Sequence, residues 1–210
     1  MRTILLPLLL LTSLILAGCG EYGKVEQGRT VAYDKEKSVV YIVVDSNTDV
    51  KKQPVYNIIP IHAYTLPPAG DDRGQEPTPG LRLSLNVDKK TITMYNPVTK
   101  AIEDLPFEVV ADNENVDVRR QNPLVWDAAT KKAKKFPKVD AANKTIEIYS
   151  GRQKRLTTIK LSDADFAKYK EADWDAGDDV RIYYKEGPTD KAPGKALRFM
   201  NINKTNINAR

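Results

Sequence analysis

Leu81, Leu83, Leu85 and Val87 alternate with Arg82, Ser84 and Asn86, the two-residue period of a strand with one buried face. The alternation returns in Ile92 and Met94 among Thr91, Thr93 and Tyr95, and in Ile146 and Ile148 among Thr145, Glu147 and Tyr149. It appears again in Val180, Ile182 and Tyr184 among Arg181, Tyr183 and Lys185. Val39 to Val44 is apolar without interruption, as expected of a strand buried on both faces or pressed under a loop. The β-branched and aromatic residues that fill these segments suit a pleated surface. The chain therefore reads as mainly β.

A loose repeat punctuates the strands. Val31-Ala32-Tyr33-Asp34 leads through Lys35-Glu36-Lys37 to Val39-Val40-Tyr41, Val87-Asp88 leads to Thr91–Tyr95, and Val139-Asp140 leads through Asn143-Lys144 to Thr145–Tyr149. Each is read as a hairpin whose Asp bonds the turn backbone, a repeat of turn physics and not of function. One short helix is expected over 163–172, opened by Ser162-Asp163-Ala164-Asp165 in the manner of a capping box, with Phe166 and Tyr169 on one face. From 135 to 210 the expected order is three strands, this helix and two strands. That order is similar to an OB-fold, a small five-stranded antiparallel barrel. Residues 29–110 form an N-terminal β region with an exposed Pro- and Gly-rich loop from Pro67 to Gly80, and polar residues 111–134 connect the two.

The N-terminus has a different character. Arg2 precedes an apolar stretch from Ile4 to Leu16, shorter than the about 20 residues a membrane span needs. It ends in Leu16-Ala17-Gly18-Cys19, which resembles the lipobox of bacterial lipoproteins. The resemblance implies a signal peptide over 1–18, cleavage between Gly18 and Cys19, and acyl chains on Cys19 as a membrane anchor, with 19–28 as a lipidated tether. Gly20 at the following position, where retention at the inner membrane would call for Asp, favours the outer membrane and a periplasm-facing domain.

Cys19 is the only cysteine, so with its sulfur acylated the fold rests on its core alone. The charge of +5 becomes +4 when Arg2 leaves with the signal, too weak and too mixed in sign to imply nucleic acid. His62 is the only histidine, and it has no cysteine for a metal set and no evident triad. The adjacent acids Asp71-Asp72 and Asp178-Asp179 lack the separation acid–base catalysis needs and read as turn caps. Met94 and Met200 lie too far apart in sequence to suggest a metal. No catalytic residue, metal or cofactor beyond the covalent lipid is expected.

Two basic clusters stand out as a contact surface: Lys131, Lys132, Lys134 and Lys135 beside Phe136, and Arg152, Lys154 and Arg155. Such groups suit a polyanion or an acidic envelope protein. Trp126, Trp174, Tyr149, Tyr183 and Tyr184 read as core, with a ligand groove as the alternative.

Gly23–Arg29, Ile146–Gln153 and Ala196–Asn201 together resemble an uncharacterised bacterial lipoprotein family, a domain-of-unknown-function family. The resemblance implies localisation to the cell envelope and brings no activity. The expected function is a membrane-anchored, non-enzymatic binding or structural module, the alternative being a periplasmic-face small-ligand carrier.

Overall fold

The structure, a computed structural model, describes residues 22–47, 49 and 52–205. The expected signal peptide, the cleavage pair Gly18 and Cys19, and lipidation at Cys19 lie outside the described residues. In chain order the strands begin with β1 (Lys24–Asp34), β2 (Val39–Val44), β3 (His62–Thr65), β4 (Arg82–Asn86), β5 (Thr91–Asn96), β6 (Ala101–Pro106) and β7 (Glu108–Asn113). They continue with β8 (Trp126–Asp127), β9 (Lys132–Ala133), β10 (Lys138–Asp140), β11 (Thr145–Ser150) and β12 (Arg155–Lys160). A single helical turn, α1 (Asp163–Phe166), and a 3-10 turn at Glu171–Trp174 precede β13 (Asp179–Tyr184) and β14 (Gly194–Asn201).

Five strands close a barrel in the order β1, β13, β14, β3, β2. β13 is antiparallel to β1 and β14, and β14 runs parallel to β3, so β1, β3 and β14 all start at the same end. Val40, Ile42, Tyr64, Val180, Ile182 and Phe199 form the barrel core. The remaining strands make sheets ordered β4-β5-β6 and β10-β11-β12-β7, with β8–β9 as a small ribbon. A second core joins these two sheets through Leu83, Ile92, Met94, Leu105, Ile146, Ile148 and Ile159. Val31 and Val43 of the barrel wall belong to that second core as well. β2 is therefore covered on both faces, as its unbroken apolar run requires.

The mainly β fold with a small barrel and a short helix is as the sequence indicates. Its partition is not. Residues 135–210 do not form a self-contained OB-like unit, because β13 and β14 leave β10–β12 and close the barrel with β1–β3. The free side of β12 is taken by β7, which straddles the expected boundary at 110 between the N-terminal β region and the connecting stretch. Alternation states that a strand has an apolar face but not which strand will lie beside it. The tether also shortens, since pairing with β13 starts at Lys24 and not after Gly28. The helix expected over 163–172 is divided into α1 and the 3-10 turn, with Ser162 Oγ accepting from the Asp165 N–H as the N-cap.

The repeat proves to be a turn frame. At Asp34, Asn86, Asn96, Asp127, Asp140 and Ser150 a side-chain oxygen accepts a backbone N–H two or three residues on. Four residues after each of these stands a residue of positive φ, between 51° and 55°: Ser38, Lys90, Lys100, Lys131, Lys144 and Lys154. The first residue bends the chain and the last returns it to the sheet through the left-handed region. In the second hairpin the capping residue is Asn86, not Asp88 as the sequence reading had it.

Because the chain passes from barrel to sheets and back, the two cores should unfold together. Ile182→Ala opens a hole in the barrel core, and such truncations cost about 2–5 kcal/mol. In a Trp126→Phe background the remaining indole, Trp174, reports the other core. The Ile182→Ala change should lower the denaturant midpoint read by Trp174 fluorescence in one transition; an unmoved Trp174 transition would mean that the cores fold independently.

Candidate functional site

The first basic cluster lies on the β8–β9 hairpin. Lys131 supplies its left-handed turn residue, and Lys132 stands opposite Asp127. Asp127 spends its carboxylate on the Ala129 N–H and the Thr130 hydroxyl. Lys131, Lys132 and Lys135 are exposed and have no side-chain partner among the described residues, whereas Lys134 Nζ donates to the Pro123 carbonyl at 2.8 Å. Phe136 is not a free stacking platform. Its ring lies 5.7 Å from Tyr149 in a minor core with Val116, Val125 and Leu156, and Lys138 Nζ sits 4.8 Å from its centroid.

The second cluster is largely neutralised. Lys154 Nζ lies 2.9 Å from Asp117, and the Arg155 guanidinium forks onto Asp112, its Nε–H at 2.8 Å from Oδ1. The Arg155 hydrogen bond holds Asp112 below its ordinary pKa and, reciprocally, raises that of Arg155. Arg152 makes a 3.4 Å bond to Gln53. Tyr149, against which Phe136 packs, bonds both Val116 and Val118 beside Asp117. Of the two clusters, open charge remains on Lys131, Lys132 and Lys135 of the hairpin and on Arg152, whose partner Gln53 is neutral.

His62 belongs to a polar cluster inside the barrel. Glu26 points inward from β1 and accepts from Tyr184 at 2.8 Å on Oε1 and from Tyr64 at 2.7 Å on Oε2, with His62 Nδ1 2.8 Å from that second oxygen. Burial pushes the Glu26 carboxyl up, but the donors from His62, Tyr64 and Tyr184 outweigh it and hold the group below its usual value. Burial raises Tyr64 and Tyr184, and both are raised further by donating to a carboxylate. The Tyr64 and Tyr184 rings pack 5.1 Å apart. With both oxygens engaged from β3 and β13, the cluster pins three strands of the barrel wall together. The sequence reading overlooked Glu26, although an acid two residues before Gly28 and four before Thr30 falls on the inward face of β1.

The paired acids point to different partners. Asp178 accepts from the Thr78 N–H and Asn201 and meets Lys204 at 2.9 Å, while Asp179 accepts from Arg29 and Tyr56. Asp72 pairs with Arg198 at 2.9 Å. Trp174 and Tyr184 are buried, and Tyr149 and Tyr183 spend their hydroxyls on backbone, so these aromatics do not line a common groove. Met94 is fully buried, whereas Met200 is partly exposed on the barrel. Among the described residues no three His, Cys, Asp or Glu side chains converge on a metal position. A cleft of about 330 Å³ lies between Tyr56, Leu83, Thr93, Ile102 and Asp104.

Asp117 offers a direct test of the neutralised cluster. Lys154 first, then the Arg119 N–H it caps, hold its carboxyl at about 2. A pKa lowered by folding contributes stability that is complete above the ordinary value near 4 and is lost as pH falls towards 2. Thermal midpoints between pH 5 and pH 2 should fall less steeply for Asp117→Asn than for the wild type, with the variant already less stable at pH 7. Parallel curves would show that Asp117 is not held by Lys154.

No match was found among curated proteins or solved structures. Residues 21–210, which include the whole of the barrel and sheets described above, match the family described as Domain of unknown function (DUF4881), and the chain belongs to that family.

Proposed function

We propose that this chain is a lipid-anchored protein of the cell envelope whose β domain is a non-enzymatic binding module, with the β8–β9 hairpin as its contact surface. The observation that carries the reading is the open charge of Lys131, Lys132 and Lys135, whereas Lys154 and Arg155 of the second cluster are already met by Asp117 and Asp112. Open, clustered lysines on a hairpin tip favour an acidic protein or polyanion, by steering its approach and by short-range attraction. The carboxylates that catalysis would require are engaged elsewhere: Glu26 in the barrel, Asp112 and Asp117 against Arg155 and Lys154, Asp179 against Arg29.

The anchor reading rests on Leu16-Ala17-Gly18-Cys19 after a short apolar stretch, and Gly20 favours the outer membrane with the domain facing the periplasm. A small-ligand carrier is the weaker reading, because Trp174, Tyr149 and Tyr184, three of the five aromatics that would have built its pocket, are spent on packing in three separate clusters.

Mild crosslinking in cells, followed by capture of the chain, tests the contact surface. The triple variant Lys131→Glu, Lys132→Glu, Lys135→Glu should keep the wild-type thermal midpoint yet reduce the yield of the crosslinked partner by about tenfold or more, as reversal of steering charges implies. Retention of the same partner at the same yield would remove the hairpin from the interface. Intact mass of the membrane fraction beside a Cys19→Ala variant tests the anchor: acyl mass and membrane retention are expected only for the wild type.

A further inference from the structure

We propose that the end of the barrel where β1 starts rests on an anionic lipid surface, the membrane that holds the acyl anchor, so that the domain has a fixed orientation and does not swing on a leash. The inference builds on the anchor reading above. Three strands start at this end, at Lys24, His62 and Gly194, and two finish there, at Val44 and Tyr184. The rim is therefore made of Tyr22–Lys24, the segment leading into β3, and the β13–β14 loop over 185–193.

Chain length sets the first constraint. Pairing begins with Lys24 opposite Tyr184, and the Gly23 N–H already donates to the Tyr183 hydroxyl at 3.2 Å. Five residue steps separate Cys19 from Lys24, at most about 17 Å of extended chain. A tether so short cannot lift the barrel clear of the headgroup layer and still let it turn over. Whichever surface surrounds Lys24 must face the lipid.

That surface has the chemistry of a membrane interface. Tyr22 is 97% exposed, Val25 58% and Ile59 44%, three apolar side chains beside the tether and at the rim. Aromatic rings with a polar edge settle at the headgroup level. Lys24, Lys185, Lys191 and Lys195 are exposed around them and have no acidic partner among the described residues. The acids at this end are Glu186 and Asp190, with Glu21 next to Tyr22 in the sequence, leaving the four lysines in excess; Asp49 meets Lys52 at 3.8 Å, and Asp45 is turned into its own loop, accepting from the Asn47 and Val55 N–H groups. The opposite end differs: Lys35 pairs with Glu76 and Lys37 with Asp34. Unpaired basic side chains beside an acyl anchor attract anionic headgroups, and together with the chains they make a second binding signal.

The experiment uses the full-length protein purified with its native lipid and placed in vesicles of mixed neutral and anionic phospholipid. Intact mass is read first. If Cys19 is unacylated, the anchor reading and this inference fall together. With acylation established, single cysteines are introduced at Ala192 on the rim and at Glu36 in the β1–β2 turn, and each is spin-labelled. The Ala192→Cys label should be shielded from a water-soluble relaxation agent and relaxed by oxygen dissolved in the lipid, while the Glu36→Cys label shows the reverse. Adding Lys185→Glu, Lys191→Glu and Lys195→Glu to the Ala192→Cys chain should abolish the shielding without releasing the acylated protein. If the Ala192→Cys label on an acylated chain is as open to water as the Glu36→Cys label, the domain hangs free and the orientation is overturned.

Discussion

Arg29 is the point at which the two halves of the molecule become one. Its guanidinium forks onto Asp179 at 3.1 and 3.0 Å, donates to the Leu83 carbonyl at 2.8 Å and lies 4.8 Å from the centroid of the Tyr56 ring, whose hydroxyl also donates to Asp179. One side chain thus joins β1, β13, β4 and the loop before β3. Burial alone would lower its pKa, and Asp179 more than reverses this. A nearly desolvated cation with a complete set of acceptors favours one arrangement strongly, because any other leaves charge unpaired in a poor solvent for it. The neighbouring backbone locks the same junction. Thr30 receives the Gly80 N–H at 3.1 Å and donates to the Asp178 carbonyl at 2.9 Å. A Cβ on Gly177, whose φ is +65°, would fall 2.2 Å from the Thr30 carbonyl oxygen, so only glycine lets the loop before β13 approach β1 so closely.

This junction explains why the chain cannot be cut into the successive units that its sequence suggests. β1 enters the barrel with Arg29 and Thr30 already committed to partners about 50 and 150 residues away: Leu83, Asp178 and Asp179. Closing such distant contacts carries a loop-entropy cost that grows slowly with length, so it can be met by a few dense contacts and one continuous core wall. Val31 and Val43 provide that wall, facing the second core from the outside of the barrel. With the only cysteine at position 19, no disulfide within the described residues shares this task.

The strands were legible because a two-residue period is a local property, and hairpins were legible because their turn residues lie within four positions of one another. Partners were not. Arg155 and Asp112 are 43 residues apart, and Lys154 read as an open charge until Asp117 was placed against it. Charge clusters in sequence count donors without their acceptors, so half of the expected contact surface vanished on folding while Lys131, Lys132 and Lys135 survived. Glu26 is the converse case. Its inward position could be inferred from alternation with Gly28, Thr30 and the outward Arg29, but the three donors that stabilise it come from β3 and β13.

The turn frame bears on where function can be written. Asx or Ser at the first position and a left-handed residue four places later are demands of the backbone, met in Asp34–Ser38, Asn86–Lys90, Asn96–Lys100, Asp127–Lys131, Asp140–Lys144 and Ser150–Lys154. The three residues between carry no such demand, and they differ from turn to turn. Lysine at the left-handed position is thus no sign of binding in itself, and Lys131 taken singly belongs to the grammar of the fold. What distinguishes its hairpin is the continuation: Lys132 and Lys135 extend the charge into a ribbon of two-residue strands held outside both main sheets. A lysine that only closed a turn would need no such neighbours. Charge added where the backbone asks for none, on an element that carries little of the core, is the part of this surface that folding leaves unexplained, and the proposed contact rests on it.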